Sequence, residues 1–189
     1  MKMLLHVCCG SCGFGFLDGW MVDGESKPDL LWYNPNIHPF VEHKERKNAA
    51  IDFADKYGLD VIKYGNYGLD EFLNIFFELK NEIDDDKNLR CKMCYEIRMN
   101  FAAAKAAELN YTAFSTTLLA SPWQKFEMIC QAGEAAAKAN GLQFIIKDYR
   151  KNYNVAKQKA REMRLYMQKY CGCIFSEQER YAPKKKHNE

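Results

Sequence analysis

Seven of the eight cysteines in this sequence fall into three tight clusters, and thiols spaced in this way are typical of metal or redox sites. The clusters are Cys8-Cys9-x-x-Cys12, Cys91-x-x-Cys94 and Cys171-Gly172-Cys173. Cys91 and Cys94 together with Cys8 and Cys9 offer four thiolates, which satisfy either a tetrahedral zinc ion or a four-iron cluster. The spacing does not resemble a structural disulfide framework, and we expect a reducing, cytoplasmic environment.

The adjacent cysteines Cys8 and Cys9 favour an iron–sulfur cluster over zinc. Structural zinc sites usually take pairs of spaced cysteines, whereas neighbouring residues at the end of a strand point apart and suit a larger cluster. We predict that Cys91 and Cys94 lie in a loop just before a helix, whose N-terminus favours thiolates. The sequence leaves three roles for Cys12: a spare buried thiol, a ligand of a second metal, or one of the four ligands of the cluster.

The Cys171-Gly172-Cys173 segment is typical of a redox-active pair. A disulfide across one residue departs from relaxed geometry and is easily reduced, which suits electron transfer better than structural cross-linking. Additional metal ligation and two buried thiols in a terminal hook are the alternatives. The eighth cysteine, Cys130, falls on the apolar stripe of a predicted helix and is interpreted as a core residue.

Five short β-like runs alternate with helical stretches, which predicts an α/β fold. We expect a single domain over residues 1–176, with a doubly wound, mostly parallel five-stranded sheet and helices on both faces, followed by a polar tail over 177–189. The five predicted strands are Lys2–Val7, Leu30–Asn34, Asp60–Tyr64, Tyr111–Thr117 and Leu142–Lys147. The polar segments that follow these strands should meet at the carboxyl edge of the sheet, where ligands bind in such folds.

The bulk composition excludes some classes of protein. The 27 basic and 25 acidic residues nearly cancel, so a nucleic-acid surface would have to be a local patch. No apolar stretch approaches the roughly 20 residues that span a membrane. The first seven residues are too short for the core of a signal peptide.

The last predicted helix, Val155–Lys169, presents a basic stripe. Lys157, Arg161 and Arg164 stand at helical spacing, and Arg150 could extend the stripe toward a phosphate-binding surface. Such stripes are usually solvated faces, and that interpretation stays open. The acidic residues 82–86 are predicted to form a loop.

Taken together, these motifs resemble the cobalamin-independent epoxyqueuosine reductases of the QueH type. The matching stretches are spread over nearly the whole chain in the order of that family. They are His6-Val7-Cys8-Cys9, Tyr33-Asn34-Pro35-Asn36-Ile37-His38-Pro39, Arg90-Cys91-x-x-Cys94-Tyr95, Ser115-Thr116-Thr117-Leu118-Leu119-x-Ser121-Pro122, Asp148-Tyr149-Arg150-Lys151 and Tyr170-Cys171-Gly172-Cys173.

The resemblance implies a fold like that of the adenine-nucleotide hydrolase and PP-loop (HUP) proteins. It also implies reduction of the epoxide of epoxyqueuosine at the wobble position of tRNA, with electrons from an unidentified donor. The implied cofactor is a [4Fe-4S] cluster, transferred here to Cys8, Cys9, Cys91 and Cys94. An additional mononuclear iron is implied beside it, for which Cys12 is the candidate ligand, and Cys171 and Cys173 become the redox-active disulfide.

Epoxide deoxygenation also needs protons, and three residues are candidate donors: Asp148, Tyr33 and His38. Two other functions remain open from the sequence. One is a zinc-thiolate module that binds RNA, and the other is a PP-loop-like enzyme that modifies tRNA with ATP. The PP-loop signature Ser-Gly-Gly-x-Asp-Ser is absent, which counts against ATP use.

Overall fold

The chain forms a five-stranded parallel sheet with helices on both faces, which confirms the predicted fold class. The computed structural model of the protein describes residues 2–80 and 86–182. In chain order the elements are β1 (Met3–His6), α1 (Gly10–Val22), β2 (Asp29–Trp32), α2 (Phe40–Tyr57), β3 (Val61–Lys63), α3 (Leu69–Glu78), α4 (Lys87–Glu108), β4 (Ala113–Thr116), α5 (Phe126–Asn140), β5 (Gln143–Phe144), α6 (Tyr153–Glu162) and α7 (Ile174–Tyr181). Short 3-10 helices, Thr117–Ala120 and Arg150–Asn152, follow β4 and β5.

The order of the strands places β1 at the centre of the sheet. The order is β3-β2-β1-β4-β5, so the chain winds outward from β1 on one side and then continues on the other. His6 in β1 is in register with Leu31 of β2 and with Thr116 of β4. Ligands in open parallel sheets bind where the winding direction reverses. That point lies beyond the carboxyl ends of β1 and β4.

The central strands are apolar because both faces of the sheet are covered. Every residue of β1 and β4 is buried, and Leu4 and Leu5 are fully inaccessible to solvent. Burial of such a side chain contributes about 1.5–3 kcal/mol to folding. Around the sheet, α1 packs against α2 and α6, and α4 packs against α5. The turn that leaves β1 is therefore held between packed layers.

Two helices end at a glycine. Gly58 follows α2 and Gly141 follows α5, and both adopt left-handed backbone angles, with φ of 62° and 66°. The Leu59 amide donates to the Ala54 carbonyl at 3.0 Å, which closes the last turn of α2. Glycine is favoured at such positions because it has no Cβ.

The prediction that Cys91 and Cys94 precede a helix is wrong, since both lie inside α4. The helix begins at Lys87 and is capped by Asp86, whose carboxylate accepts a hydrogen bond from the Asn88 amide at 2.6 Å. This cap places both cysteines beyond the first turn, where the favourable field of a helix N-terminus fades. Most of the acidic segment predicted as a loop, residues 82–85, lies outside the described residues.

The predicted helix Val155–Lys169 is shorter than expected and ends at Glu162. Arg164 has a left-handed φ of 55°, and the Leu165 amide donates to the Ala160 carbonyl at 2.9 Å. This hydrogen-bond pattern terminates helices, and it is completed by an apolar contact. Leu165 supplies that contact because its side chain is buried in the core.

The C-terminal segment contains a helix that the sequence prediction missed. Helix α7 crosses the predicted boundary at residue 176, and its Phe175 ring packs on Phe76 with centroids 4.6 Å apart. Glu179 forms ion pairs with Lys87 at 2.6 Å and with Arg90 at 3.0 Å. These contacts attach α7 to the start of α4. Residues 183–189, the rest of the predicted tail, lie outside the described residues.

Candidate active site

Cys8, Cys9 and Cys12 form one buried group of thiols at the switch point of the sheet. Their sulfur atoms all lie within 4.8 Å of one another, and the group could hold a metal ion. Helix α1 begins at Gly10, so its first turn brings Cys12 back to the strand end. A side chain at Gly10 would come within 2.8 Å of the Ala49 carbonyl oxygen. Glycine there lets the turn approach α2 closely.

The predicted meeting of strand-end residues at one edge is confirmed around this turn. The backbone amide of Cys8 donates to the Thr117 hydroxyl at 3.3 Å, which joins the ends of β1 and β4. The Asn34 side chain, which follows β2, donates to the Val7 carbonyl at 2.9 Å. Three polar segments that are far apart in the sequence therefore surround the cysteine turn.

Within the group, Cys9 is the thiol that ionises first. Hydrogen bonds from Cys12 and then from Cys8 hold the pKa of Cys9 well below its usual value. The Gln168 amide also donates to the Cys9 sulfur at 3.0 Å, and the positive charge of Arg46 acts in the same direction. The pKa of Cys12 is raised well above its ordinary range because its proton is held by Cys8 and Cys9. A thiolate at Cys9 is the form that binds metals.

A second group of four thiols lines a neighbouring cavity. Cys91 and Cys94 of α4 face Cys171 and Cys173 there, and Asn36 forms part of the same wall. Burial raises the pKa of Cys91 and raises that of Cys94 to about 11. The structure therefore reverses the predicted lowering of these pKa values, because desolvation outweighs the helix field at these positions.

Arg98 connects the two groups of thiols. Its side chain is buried, with 3% of its surface exposed, and it donates to the Cys94 sulfur at 3.3 Å and to the Cys94 carbonyl at 3.0 Å. Its charge interacts with Cys94, Cys8 and Cys171, and these interactions keep its pKa raised despite burial. A buried cation stabilises nearby anions strongly. Arg98 is thus suited to compensate thiolates or a negatively charged metal–sulfur centre.

The Cys171-Gly172-Cys173 turn is fixed through its backbone. Arg46, which is 2% exposed, donates to the Cys171 carbonyl at 3.0 Å and to the Tyr170 carbonyl at 2.8 Å. The Glu42 carboxylate pairs with the same guanidinium at 2.6 Å, and the His38 amide donates to the Gly172 carbonyl at 2.8 Å. All eight cysteines are free thiols in this structure. The turn thus holds two reduced thiols at defined positions.

Gly172→Ala is expected to destabilise the protein by about 1–3 kcal/mol and to displace the cysteine pair. Gly172 has a φ of 111°, and a Cβ there would lie 3.0 Å from Ile37 and 3.1 Å from the Arg46 guanidinium. Urea unfolding measures the loss. Gly141→Ala is a matched control, because Gly141 also has a positive φ but no atom within 4 Å of the added Cβ. Equal losses in both variants would contradict steric displacement of the turn.

None of the three predicted proton donors lines the thiol cavity. The Tyr33 hydroxyl donates to Glu71, and burial together with this bond raises the Tyr33 pKa, so the phenol stays neutral. Asp148 is exposed, and its carboxylate binds Arg150 at 2.5 and 2.8 Å, which lowers the Asp148 pKa. An ionised carboxylate of this kind is a poor proton source at neutral pH. The roles of Tyr33, His38 and Asp148 stay predictions.

His38 is expected to remain neutral down to about pH 5. Burial, followed by the charge of His43, lowers the His38 pKa to about 4. Because the unfolded chain takes up this proton near pH 6.5, stability should be lost as the pH falls from 6.5 toward 4, by at most about 1.4 kcal/mol per pH unit. NMR titration of the imidazole measures the midpoint, and His38→Asn should remove this part of the pH dependence. A midpoint near 6.5 in the folded protein would contradict the expectation.

The predicted basic stripe is not continuous in the structure. Lys157 and Arg161 lie on α6, but Arg164 lies beyond the end of that helix in a left-handed conformation. Arg150 is engaged by Asp148, and its guanidinium lies 4.5 Å from the centre of the Phe126 ring. These cations therefore do not form the single helical face that the sequence suggested.

Several functional candidates were missed by sequence reasoning. Among the described residues, Asn36 Oδ1, Arg90 Nε and Gln168 Oε1 are buried without a hydrogen-bond partner. Buried polar atoms are normally satisfied, so such atoms indicate where a ligand completes the structure. Asn36 and Arg90 both line the thiol cavity. Arg98 could have been found from its position four residues after Cys94, which places both on one face of a helix.

Comparison with known proteins identifies the family. The sequence model described as "Epoxyqueuosine reductase QueH" matches residues 3–179. A protein named "Epoxyqueuosine reductase QueH" from Dehalococcoides mccartyi is 36% identical over 181 residues, which cover 96% of this chain and 95% of the relative. The chain belongs to the QueH family. A second relative of the same name, from Thermotoga maritima, is 32% identical over 202 residues. The aligned region covers 99% of this chain and 94% of that relative.

Membership of the QueH family confirms the resemblance drawn from the cysteine motifs. The relatives are named as reductases, so the family is one of oxidoreductases. Another QueH relative, from Acinetobacter baylyi, is 32% identical over 93% of this chain and 80% of its own length. Across residues 2–80 and 86–182, no helix has the length and apolar character needed to cross a membrane.

Proposed function

We propose that this QueH family member removes the epoxide oxygen of epoxyqueuosine in tRNA, giving queuosine in the last step of its biosynthesis. The observation that carries the proposal is the gathering of seven cysteines into two groups beside one buried cation, Arg98. Structural thiols are seldom concentrated in this way at the ligand-binding edge of a parallel sheet. The family name supplies the substrate.

The donor set fits an iron–sulfur centre. Cys8, Cys9, Cys91 and Cys94 are our proposed ligands of a [4Fe-4S] cluster, and Cys12 is the proposed ligand of an additional iron. Soft thiolate sulfur is the ligand type that such centres take. Cys8 and Cys94 both interact with the charge of Arg98, which supports the assignment of both cysteines to the same cluster. When bound, such a centre would supply single electrons and a Lewis acid for the epoxide oxygen.

The Cys171–Cys173 pair balances the chemistry. Removal of an epoxide oxygen as water consumes two electrons and two protons and leaves a carbon–carbon double bond. Oxidation of two thiols to a disulfide releases two electrons and two protons, so one turnover converts this pair from dithiol to disulfide. Cys171 is exposed while Cys173 is half-buried, so an external reductant can reach the disulfide through Cys171.

Polar side chains of the cavity are suited to orient the substrate. The unpartnered Asn36 Oδ1 can accept a hydrogen bond from a substrate hydroxyl, which would satisfy a buried acceptor. Arg90, whose guanidinium lies 4.9 Å from the centre of the Phe175 ring, places a positive charge in the same wall. The substrate would thereby be held beside the thiols while water is displaced from the cavity.

Anaerobic purification with iron and sulfide analysis tests the proposal. The protein should carry iron and acid-labile sulfide, and with a chemical reductant it should convert epoxyqueuosine-containing tRNA to queuosine-containing tRNA. Digestion to nucleosides and mass spectrometry detect the loss of one oxygen atom. A colourless protein with stoichiometric zinc and no conversion would overturn the proposal in favour of a zinc-thiolate module.

A further inference from the structure

One of the three tryptophans differs from the others in its exposure. Trp20 and Trp32 are each 1% exposed, whereas Trp123 is 79% exposed. Trp123 lies in the segment 121–125, between the 3-10 helix that follows β4 and the start of α5. Its ring stacks on no other aromatic ring of residues 2–80 and 86–182. A large apolar ring is thus presented to solvent at the ligand-binding edge of the sheet.

The two residues that follow Trp123 are attached to the thiol cavity. The Trp123 amide donates to the Ser121 hydroxyl at 3.4 Å. The Tyr95 hydroxyl donates to Gln124 Oε1 at 2.8 Å and accepts from the Lys125 amide at 3.1 Å. Tyr95 and Gln124 both line the cavity. Trp123 therefore directly precedes a wall residue, and its position is fixed rather than left to a loose loop.

The last residue of this segment, Lys125, carries a positive charge. The Lys125 amide is hydrogen-bonded to Tyr95 of the cavity wall, and the Lys125 ammonium contacts the first turn of α4, the helix that carries Cys91. Within the described part of the chain, Lys125 pairs with no carboxylate, and its ammonium donates to the neutral side chain of Asn88. Lys87 and Arg90 of the same wall share Glu179. Lys125, which follows the wall residue Gln124, is thus the cation beside the cavity best able to contact a phosphate group.

We propose that Trp123 is a stacking platform for an unpaired base next to the modified nucleotide, with Lys125 contacting the adjacent phosphate. The inference rests on the proposed action on tRNA and adds the surface that holds its single-stranded loop. Proteins bind such loops by stacking bases on aromatic rings beside cations. A base stacked here would lie outside the cavity while its neighbour enters between the thiols.

The fluorescence of Trp123 gives a direct test. Because the other two tryptophans are buried, the long-wavelength emission and its quenching by iodide should come from Trp123. Titration of the iron-loaded protein with a synthetic anticodon stem-loop carrying epoxyqueuosine should quench this emission and protect it from iodide. Trp123→Ala should weaken binding of that RNA by about 5- to 150-fold. It should raise KM and leave kcat at saturating RNA unchanged.

Two variants act as controls for this test. Trp123→Phe keeps an aromatic face and should recover most of the affinity. Val22→Ala also removes an exposed apolar side chain, but Val22 ends α1 and therefore lies at the opposite edge of the sheet, so RNA binding should not change. Iron content should be the same in all of these proteins.

The outcomes separate this inference from the proposed function. The platform would be overturned if Trp123→Ala binds the RNA with unchanged affinity and the RNA does not quench Trp123 fluorescence in the unsubstituted protein. This holds even if the enzyme reduces tRNA. Quenching and weakened binding without any conversion in the unsubstituted protein would support the platform and overturn the reductase proposal. Failure of the unsubstituted protein to bind the stem-loop RNA would also overturn the platform.

Discussion

Replacement of Cys9 by alanine is expected to abolish iron binding and epoxide reduction together, lowering turnover by roughly 100-fold or more. Partners in the outer shell of a metal site alone typically cost 10- to 100-fold in affinity or activity, and a direct ligand should cost at least as much. Cys9 is the thiol whose pKa is lowered by Cys12 and Cys8, so it supplies the thiolate of its group. Iron analysis and conversion of tRNA measure the two effects.

Cys130→Ala is the matched control for Cys9→Ala. Cys130 is also a buried cysteine, but it packs in the core on α5, away from both thiol groups. Its loss should leave iron content and turnover near those of the unsubstituted protein. Cys94→Ala extends the test, because loss of iron there would support ligation from α4. Full turnover in an iron-free Cys9→Ala protein would contradict the cluster mechanism.

Cys171→Ser is expected to retain iron while turnover falls by at least roughly tenfold, because a single thiol cannot form the disulfide that releases two electrons. Cys171 is exposed and hydrogen-bonded to the Ser176 hydroxyl at 2.9 Å, so serine fits without repacking. Cys173→Ser should lose turnover in the same way. Iron analysis and single-turnover conversion of tRNA distinguish electron relay from metal ligation.

The Ser176→Ala protein provides the comparison for Cys171→Ser. It keeps both thiols and removes only the hydroxyl that contacts Cys171, so it should retain most of the turnover. Loss of iron from Cys171→Ser would contradict a pure relay and assign Cys171 to the metal centre. Unchanged turnover in both cysteine variants would show that the pair takes no part in the reaction.

The sequence predicted the parts of the molecule that depend on local patterns. The alternation of apolar runs and helical stretches gave the parallel sheet, because strands covered on both faces must be apolar throughout. Gly58 and Gly141 marked helix ends, because a left-handed residue is needed there. The spacing of the cysteines indicated metal and redox chemistry, since that depends on which thiols neighbour one another along the chain.

Errors arose where distant residues determine local structure. Helix α6 ends at Glu162 because Leu165 packs in the core, and the sequence pattern near Glu162 does not predict that contact. Helix α7 crosses residue 176 because Phe175 packs on Phe76 of α3. The pKa values of Cys91 and Cys94 are raised because other elements bury them inside α4. Burial by distant elements is not encoded in a short stretch of sequence.

The cysteine turn after β1 shows how the two kinds of information divide. The sequence by itself determined that three cysteines follow the central strand within five residues, and that the chain belongs to a family of reductases. Only the tertiary structure decided that Cys12 joins Cys8 and Cys9, that Gln168 and Arg46 favour the Cys9 thiolate, and that Arg98 stands beside Cys94. Hydrogen bonds and charges act over a few ångströms in space, so contacts between residues far apart in the chain arise only on folding.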